Sequence, residues 1–222
     1  RASWKSDGLE LQSRAWTPEQ IQMSFRAEPQ VAPAFLAARA KGRLQHALRQ
    51  SGASCGFSRK IAVRSLGDNV SEVVAGYLRQ QAVRAELVDE RYRATLRSAG
   101  FEDAAVDLSA PTETKSGRYW NNLHWVAVTA DRFRIGKEDF LDKVRAGVFA
   151  WAGETGCRLK AFALMPDHVH IVARGDPERS PLELAEALWK NLNRAAGCCL
   201  MGENVYAGTF SEYGLGAVLR RT

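Results

Sequence analysis

The chain is short of several things, and each shortage removes a class of function. Its four cysteines, Cys55, Cys157, Cys198 and Cys199, form no Cys-x-x-Cys pair, so neither a zinc ribbon nor a disulfide framework is indicated. Reduced thiols are the default of a cytoplasmic protein, and that is the compartment expected. No apolar run approaches the roughly 18 residues of a membrane span, and no secretory signal is visible, so no membrane is expected as a partner. Charge of one sign is also scarce: 31 Lys and Arg stand against 25 Asp and Glu, a net +6. That balance permits an acidic partner such as nucleic acid without demanding one. The sequence opens at Arg1 rather than a methionine, which leaves its completeness at either end open.

What is present is a periodic pattern. Residues 9–16 and 20–26 alternate as strands, and residues 31–50 place Phe35, Leu36, Leu44 and Leu48 at helical spacing. Residues 57–66 read as another strand. A long helix is expected over 70–98, ended by Gly100. Residues 102–118 are polar, with Pro111 and Gly117, and read as a linker. Beyond it come a strand (122–129), a helix (137–153), two strands (157–164 and 168–174), a helix capped by Ser180, Pro181 and Glu183, and an extended stretch over 206–219. Strand, helix, strand, strand, helix, strand is the order of an α+β ferredoxin-like sandwich with an antiparallel sheet.

The two halves also match each other. Adding 148 to each number carries residues 8–49 onto 156–197 without a gap. Pro18, Pro29 and Pro33 then fall on Pro166, Pro177 and Pro181, and Gly8, Leu11, Arg26, Leu36 and Leu44 on Gly156, Leu159, Arg174, Leu184 and Leu192. Such a run predicts a tandem duplication, a pseudo-dimer within one chain. The expected parts are a degenerate half (1–99), a linker (100–118) and a second half (119–222).

Only the second half has histidines at the critical place. His168 and His170 sit two apart on a strand, so both imidazoles face one side and are able to share a divalent metal. Asp167 precedes them, placed to orient a ligand or to shape the turn. Their counterparts in the first half are Gln20 and Gln22. The first half instead holds Tyr77 and Gln81, four apart and therefore on one helix face. A tyrosine attacks a phosphodiester when a metal polarises the phosphate. Tyr92 is the rival tyrosine on the expected long helix; Tyr206 and Tyr213 read as strand residues.

Met165-Pro166-Asp167-His168-Val169-His170-Ile171-Val172 resembles the metal-binding strand of the single-tyrosine HUH transposases, those of small bacterial insertion sequences and their REP-associated relatives. Residues 122–129 resemble the family's first strand, and residues 67–81, with Tyr77-x-x-x-Gln81, its nucleophile helix. The resemblance implies that His168, His170 and Gln81 hold Mg2+ or Mn2+. It also implies that Tyr77 attacks single-stranded DNA beside a hairpin and forms a 5′-phosphotyrosine link. For the insertion-sequence members the resemblance implies dimers whose sites pair histidines from one subunit with the tyrosine of the other. Here the histidines and the tyrosine lie in different halves, so the expectation is one composite site in a fused pseudo-dimer, the chain being a monomer or a homodimer. Arg39, Lys41, Arg43, Arg79, Arg84, Arg132 and Arg134 are the candidate DNA contacts. Trp120, Trp125 and Trp189 are either base-stacking or core residues, core being the better reading for the last two. The alternative functions are a hairpin-binding module that no longer cuts, and a replication-initiator or relaxase-like nickase.

Overall fold

The computed structural model describes residues 2–52, 56–67, 73–74, 76–77, 80 and 89–211. Its centre is a five-stranded sheet. Strand β7 (Asn122–Thr129) leads through a short 3-10 turn into helix α4 (Glu138–Thr155). Strands β8 (Arg158–Leu164) and β9 (His168–Arg174) follow as a hairpin, then helix α5 (Pro181–Ala196) and strand β10 (Met201–Thr209). The spatial order is β10-β7-β9-β8, antiparallel throughout, with the short strand β4 (Phe101–Glu102) added beside β8. This is the ferredoxin-like order expected from the sequence.

Strand alternation decides which face is dry. Leu123, Trp125 and Ala127 of β7 and Val169, Ile171 and Ala173 of β9 all point into one core with Leu141, Val144, Val148 and Trp151 of α4 and Leu184, Leu188 and Leu192 of α5. Trp125 and Trp151 meet edge to face with centroids 4.9 Å apart, and the Trp151 indole N–H donates to the Leu184 carbonyl at 3.0 Å. Helix α5 starts at a complete capping box: the Ser180 hydroxyl accepts from the Glu183 N–H, and the Glu183 carboxylate accepts from the Ser180 N–H. Gly147 lets α4 approach α5, because a Cβ there would lie 3.1 Å from both the Asn191 carbonyl oxygen and Leu192 Cα.

The first half is thinner. After the short helix α1 (Ala2–Lys5), strands β1 (Leu9–Trp16) and β2 (Ile21–Ala27) form a separate two-stranded sheet, followed by helix α2 (Pro33–Gln50). Its ladder repeats that of the second half. The β1–β2 register steps by one residue between Leu11 and Ser13; the β8–β9 register steps between Leu159 and Ala161, the same two positions plus 148. Gly8 and Gly156, which precede the two hairpins, have φ of +70° and +73°, a conformation that glycine adopts without strain. The two units also touch reciprocally. The Ala34 N–H donates to the Pro177 carbonyl, and the Leu182 N–H to the Pro29 carbonyl, both at 2.9 Å. Those partners are again related by 148.

Three expectations change. Helix α2 buries only Ala37 and Ala40, and Phe35 stays exposed, because a two-strand hairpin offers little surface to cover an apolar stripe. The single helix expected over 70–98 is interrupted: Asp89 is extended and caps a separate helix α3 (Glu90–Ala99), its carboxylate accepting the Arg91 N–H. Tyr92 therefore sits on a different helix from Tyr77. The stretch read as a linker contains β4, β5 (Thr112–Glu113) and the start of β6 (Gly117–Trp120), which runs parallel to β3 (Ile61–Arg64).

Because Gly147 admits no side chain without moving backbone, Gly147→Val is expected to cost about 1–3 kcal/mol by overpacking. Urea unfolding reads this directly, and an unchanged midpoint would show that the helices separate freely.

Candidate active site

Among the described residues, the second face of the sheet carries no helical layer from its own unit. By alternation it presents His124, Val126 and Val128 of β7 and His168, His170, Val172 and Arg174 of β9. The first half reaches this face. Ser65 donates through Oγ to the Phe210 carbonyl at 2.8 Å, its N–H donates to the Trp120 carbonyl, and Thr209 Oγ1 donates to the Leu66 carbonyl. Gly67 passes so close to Thr209 that a Cβ would meet its carbonyl oxygen. Beyond this crossing, Val73, Val74, Gly76, Tyr77 and Gln80 are helical. Val74 is buried against Val172, Leu108 and Phe210. Three residues later, on the same helix face, Tyr77 meets His170 edge-on with ring centroids 5.4 Å apart. Tyr77 is 39% exposed.

The histidines are held at one nitrogen each. His168 Nδ1 lies 2.6 Å from Asp167 Oδ1, and the other carboxylate oxygen takes a 3.0 Å bond from Arg132. Arg132 reaches it from a tight turn in which Asp131 and Arg132 both have positive φ, 50° and 56°, a backbone cost often met at functional sites. Burial works to raise the Asp167 carboxyl, but the His168 and Arg132 contacts outweigh it and hold it below the ordinary carboxylate value. His170 Nδ1 lies 3.1 Å from His124 Nε2. Burial, with smaller effects from His168 and His124, pushes the His170 pKa down to about 3, so this imidazole is neutral at pH 7. Burial lowers His124 as well.

The rings of His168 and His170 have centroids 4.8 Å apart. With both Nδ1 atoms engaged, both Nε2 atoms remain. His170 Nε2 is buried and has no hydrogen-bond partner among the described residues. A buried unpaired nitrogen costs about 1–3 kcal/mol, and a divalent ion bound through Nε2 is one way to satisfy it. Among the described residues, no three His, Cys, Asp or Glu side chains converge as a metal cage, so two imidazoles need a further ligand of another type.

The other expected site residues divide clearly. Gln81, Arg79, Arg84 and Tyr213 lie outside the described residues. Arg39 and Arg43 are ion-paired to Asp7, with Arg43 over the Trp4 ring and Arg39 over Phe35. They line a shallow groove of α2 with Ala38, Gly42 and His46. Lys41 donates to the carbonyls of Ser58 and Arg59 at 2.7 and 3.0 Å. These three cations therefore have partners within the first half. Arg132 is at the histidine site, and Arg134 is exposed. Trp125 is fully buried and Trp189 bonds the Met201 carbonyl, as core residues do. Trp120 is covered by Arg64 at 4.1 Å. Gln20 and Gln22 are exposed. Sequence reasoning missed His124. The expected strand order set β7 beside β9, but nothing local showed the register that makes His124 the diagonal neighbour of His170.

Residues 118–195 match the family model described as "Transposase IS200 like". That segment contains His124, Asp167, His168 and His170 but not Tyr77. No curated protein matches the chain. Among solved structures, a candidate transposase from Deinococcus radiodurans R1 is similar over 45% of this chain and 86% of its own, at 20% identity and a TM-score of 0.38. A REP-associated tyrosine transposase solved with a REP hairpin is similar over 46% of this chain and 61% of its own, at 9% identity and a TM-score of 0.36.

The buried neutral imidazole makes stability depend on pH. Unfolded, His170 titrates near 6.5; folded, it stays neutral down to about 3. Between those values only the unfolded state takes the proton. Its contribution is therefore complete above about 6.5 and is lost as pH falls toward about 3, by at most ~1.4 kcal/mol per pH unit. His170→Gln is expected to lose less stability than the wild type between neutral pH and about pH 5. Equal losses in urea titrations would show that His170 is not buried neutral.

Proposed function

We propose, from a chain whose residues 118–195 belong to the IS200-like transposase family, that this protein is a metal-dependent single-strand DNA endonuclease and strand transferase acting beside DNA hairpins. The observation that carries the reading is the meeting of Tyr77, from the first half, with His170, from the second. Nucleophile and candidate ligand come together although more than ninety residues separate them (170 − 77 = 93).

In this reading His168 and His170 bind Mg2+ or Mn2+ through Nε2. Gln81 completes the set, an assignment resting on the Tyr-x-x-x-Gln spacing. The ion supplies Lewis-acid polarisation of the scissile phosphate. Tyr77 Oη attacks phosphorus, the bond to the 3′ oxygen breaks, and a 5′-phosphotyrosine link forms with release of a 3′-OH. That hydroxyl is the nucleophile for resealing or joining. Asp167, braced by Arg132, holds the His168 ring in place. Arg132 and Arg134, with Arg79 and Arg84, are the assigned DNA contacts. Arg39, Lys41 and Arg43 were assigned with them, and their contribution is secondary given their partners within the first half.

We also read residues 1–99 and 119–222 as two transposase-like halves of one pseudo-dimer, joined through 100–118. The shared register step, the paired glycines and the reciprocal hydrogen bonds of Ala34 and Leu182 support this. In a symmetric dimer a contact of residue i with j is repeated as j with i. Gln20 and Gln22 then mark a second site that has lost its metal ligands.

Incubation with hairpin-bearing single-stranded DNA in Mn2+ is expected to trap a covalent protein–oligonucleotide adduct. Tyr77→Phe abolishes the adduct, and His168→Ala reduces it by at least about 100-fold. An adduct that persists in Tyr77→Phe refutes the nucleophile. Tight hairpin binding by the wild type without any adduct identifies a binding module instead.

A further inference from the structure

We propose that His124 is a positioning residue for the metal site: its Nε2 accepts the Nδ1 proton of His170 and so fixes His170 as the tautomer whose Nε2 carries the lone pair. This role rests on the metal reading above.

The geometry of the pair is specific. The rings are 16° from parallel with centroids 5.3 Å apart, and the nitrogens are 3.1 Å apart. The nitrogen contact plus the two ring radii spans nearly the whole centroid separation. The rings therefore meet edge to edge in a shared plane rather than face to face, with the N–H of one aimed at the lone pair of the other. Only one proton fits between them. If it belonged to His124, His170 would carry its own proton on Nε2, a buried N–H with no acceptor among the described residues and no ability to ligate. If it belongs to His170, Nε2 is a bare donor atom ready for a cation.

Strand register puts His124 in this position. It pairs with Val172 on β9 and is thus the diagonal neighbour of His170 on the same face. On its other side, Tyr206 of β10 lies edge-on with centroids 6.3 Å apart. Gly208, paired with His124 across the ladder, makes room for it, since a Cβ there would meet Tyr206 Oη at 2.5 Å. The His124 ring is therefore boxed between two aromatic rings. His168 is served in the same way by Asp167. Each proposed ligand thus has an acceptor on Nδ1, a carboxylate for the partly exposed histidine and an uncharged imidazole for the buried one.

The test uses the full chain. Nitrogen-15 NMR of the metal-free protein is expected to show His170 protonated at Nδ1 in the wild type and in His124→Gln, whose amide oxygen is also an acceptor, but not in His124→Phe. Mn2+ affinity, measured by calorimetry, is expected to fall about 10- to 100-fold in His124→Phe and to stay near wild type in His124→Gln. At saturating Mn2+ the Phe variant is expected to recover most of its DNA adduct. An Nε2-protonated His170 in the wild type overturns the proposal. So does wild-type Mn2+ affinity in His124→Phe, or a Gln variant that falls as far as Phe. A wild type that binds no Mn2+ overturns the metal reading itself and this role with it, and is distinguished because His168→Ala then changes nothing.

Discussion

One interaction organises the site: an imidazole held in a buried place by a bond to only one of its two nitrogens. His170 sits at 4% exposure on a sheet face that the described helices of its own unit do not cover. Burial keeps it neutral, and its remaining nitrogen has nothing to bond among the described residues. Satisfying that atom from within the protein would have needed a hydroxyl or amide on the opposite surface. What lies there, among the described residues, is the helical segment bearing Val74 and Tyr77, which gives His170 a ring contact and no hydrogen bond. The cost of the orphan atom is offset elsewhere, in the dry core that α4 and α5 build on the reverse of the same strands.

The strand alternation and helical spacing of the second half were legible because both its faces are specified. Apolar residues recur every second position on β7 and β9, and Ser180 with Glu183 announces α5. The histidine pair was legible for the same reason. Three features were not. The break at Asp89 competes with a helical pattern on both sides, and an aspartate that caps reads in sequence like any polar residue on a helix. Strand β4 owes its existence to the open edge of β8, a tertiary circumstance that two residues cannot advertise. The pairing of His124 with His170 depends on strand register: the expected order sets β7 beside β9, but no local signal tells that His124 falls diagonal to His170.

The match between residues 8–49 and 156–197 was legible in the sequence, yet the two matched segments differ in solidity. The second half sandwiches two helices against four of its own strands. The matched segment of the first has one hairpin and one long helix, and α2 leaves most of its apolar stripe only partly covered. Similar sequences yield similar local geometry, down to the position of a register step, while burial follows from how many layers are available to pack. That is why Gln20 and Gln22 are exposed where His168 and His170 are sheltered.

The crossed hydrogen bonds of Ala34 and Leu182 have a further consequence. Between separate subunits, such a two-fold contact would come apart on dilution, and every substitution would appear on both sides of the axis. Within one chain the partner is always present at a fixed effective concentration. On the pseudo-dimer reading, each side of the axis is free to drift alone, one keeping imidazoles and the other amides. On that reading the tether would turn a concentration-dependent association into a permanent one and a symmetric surface into a polar one, with a defined front and back.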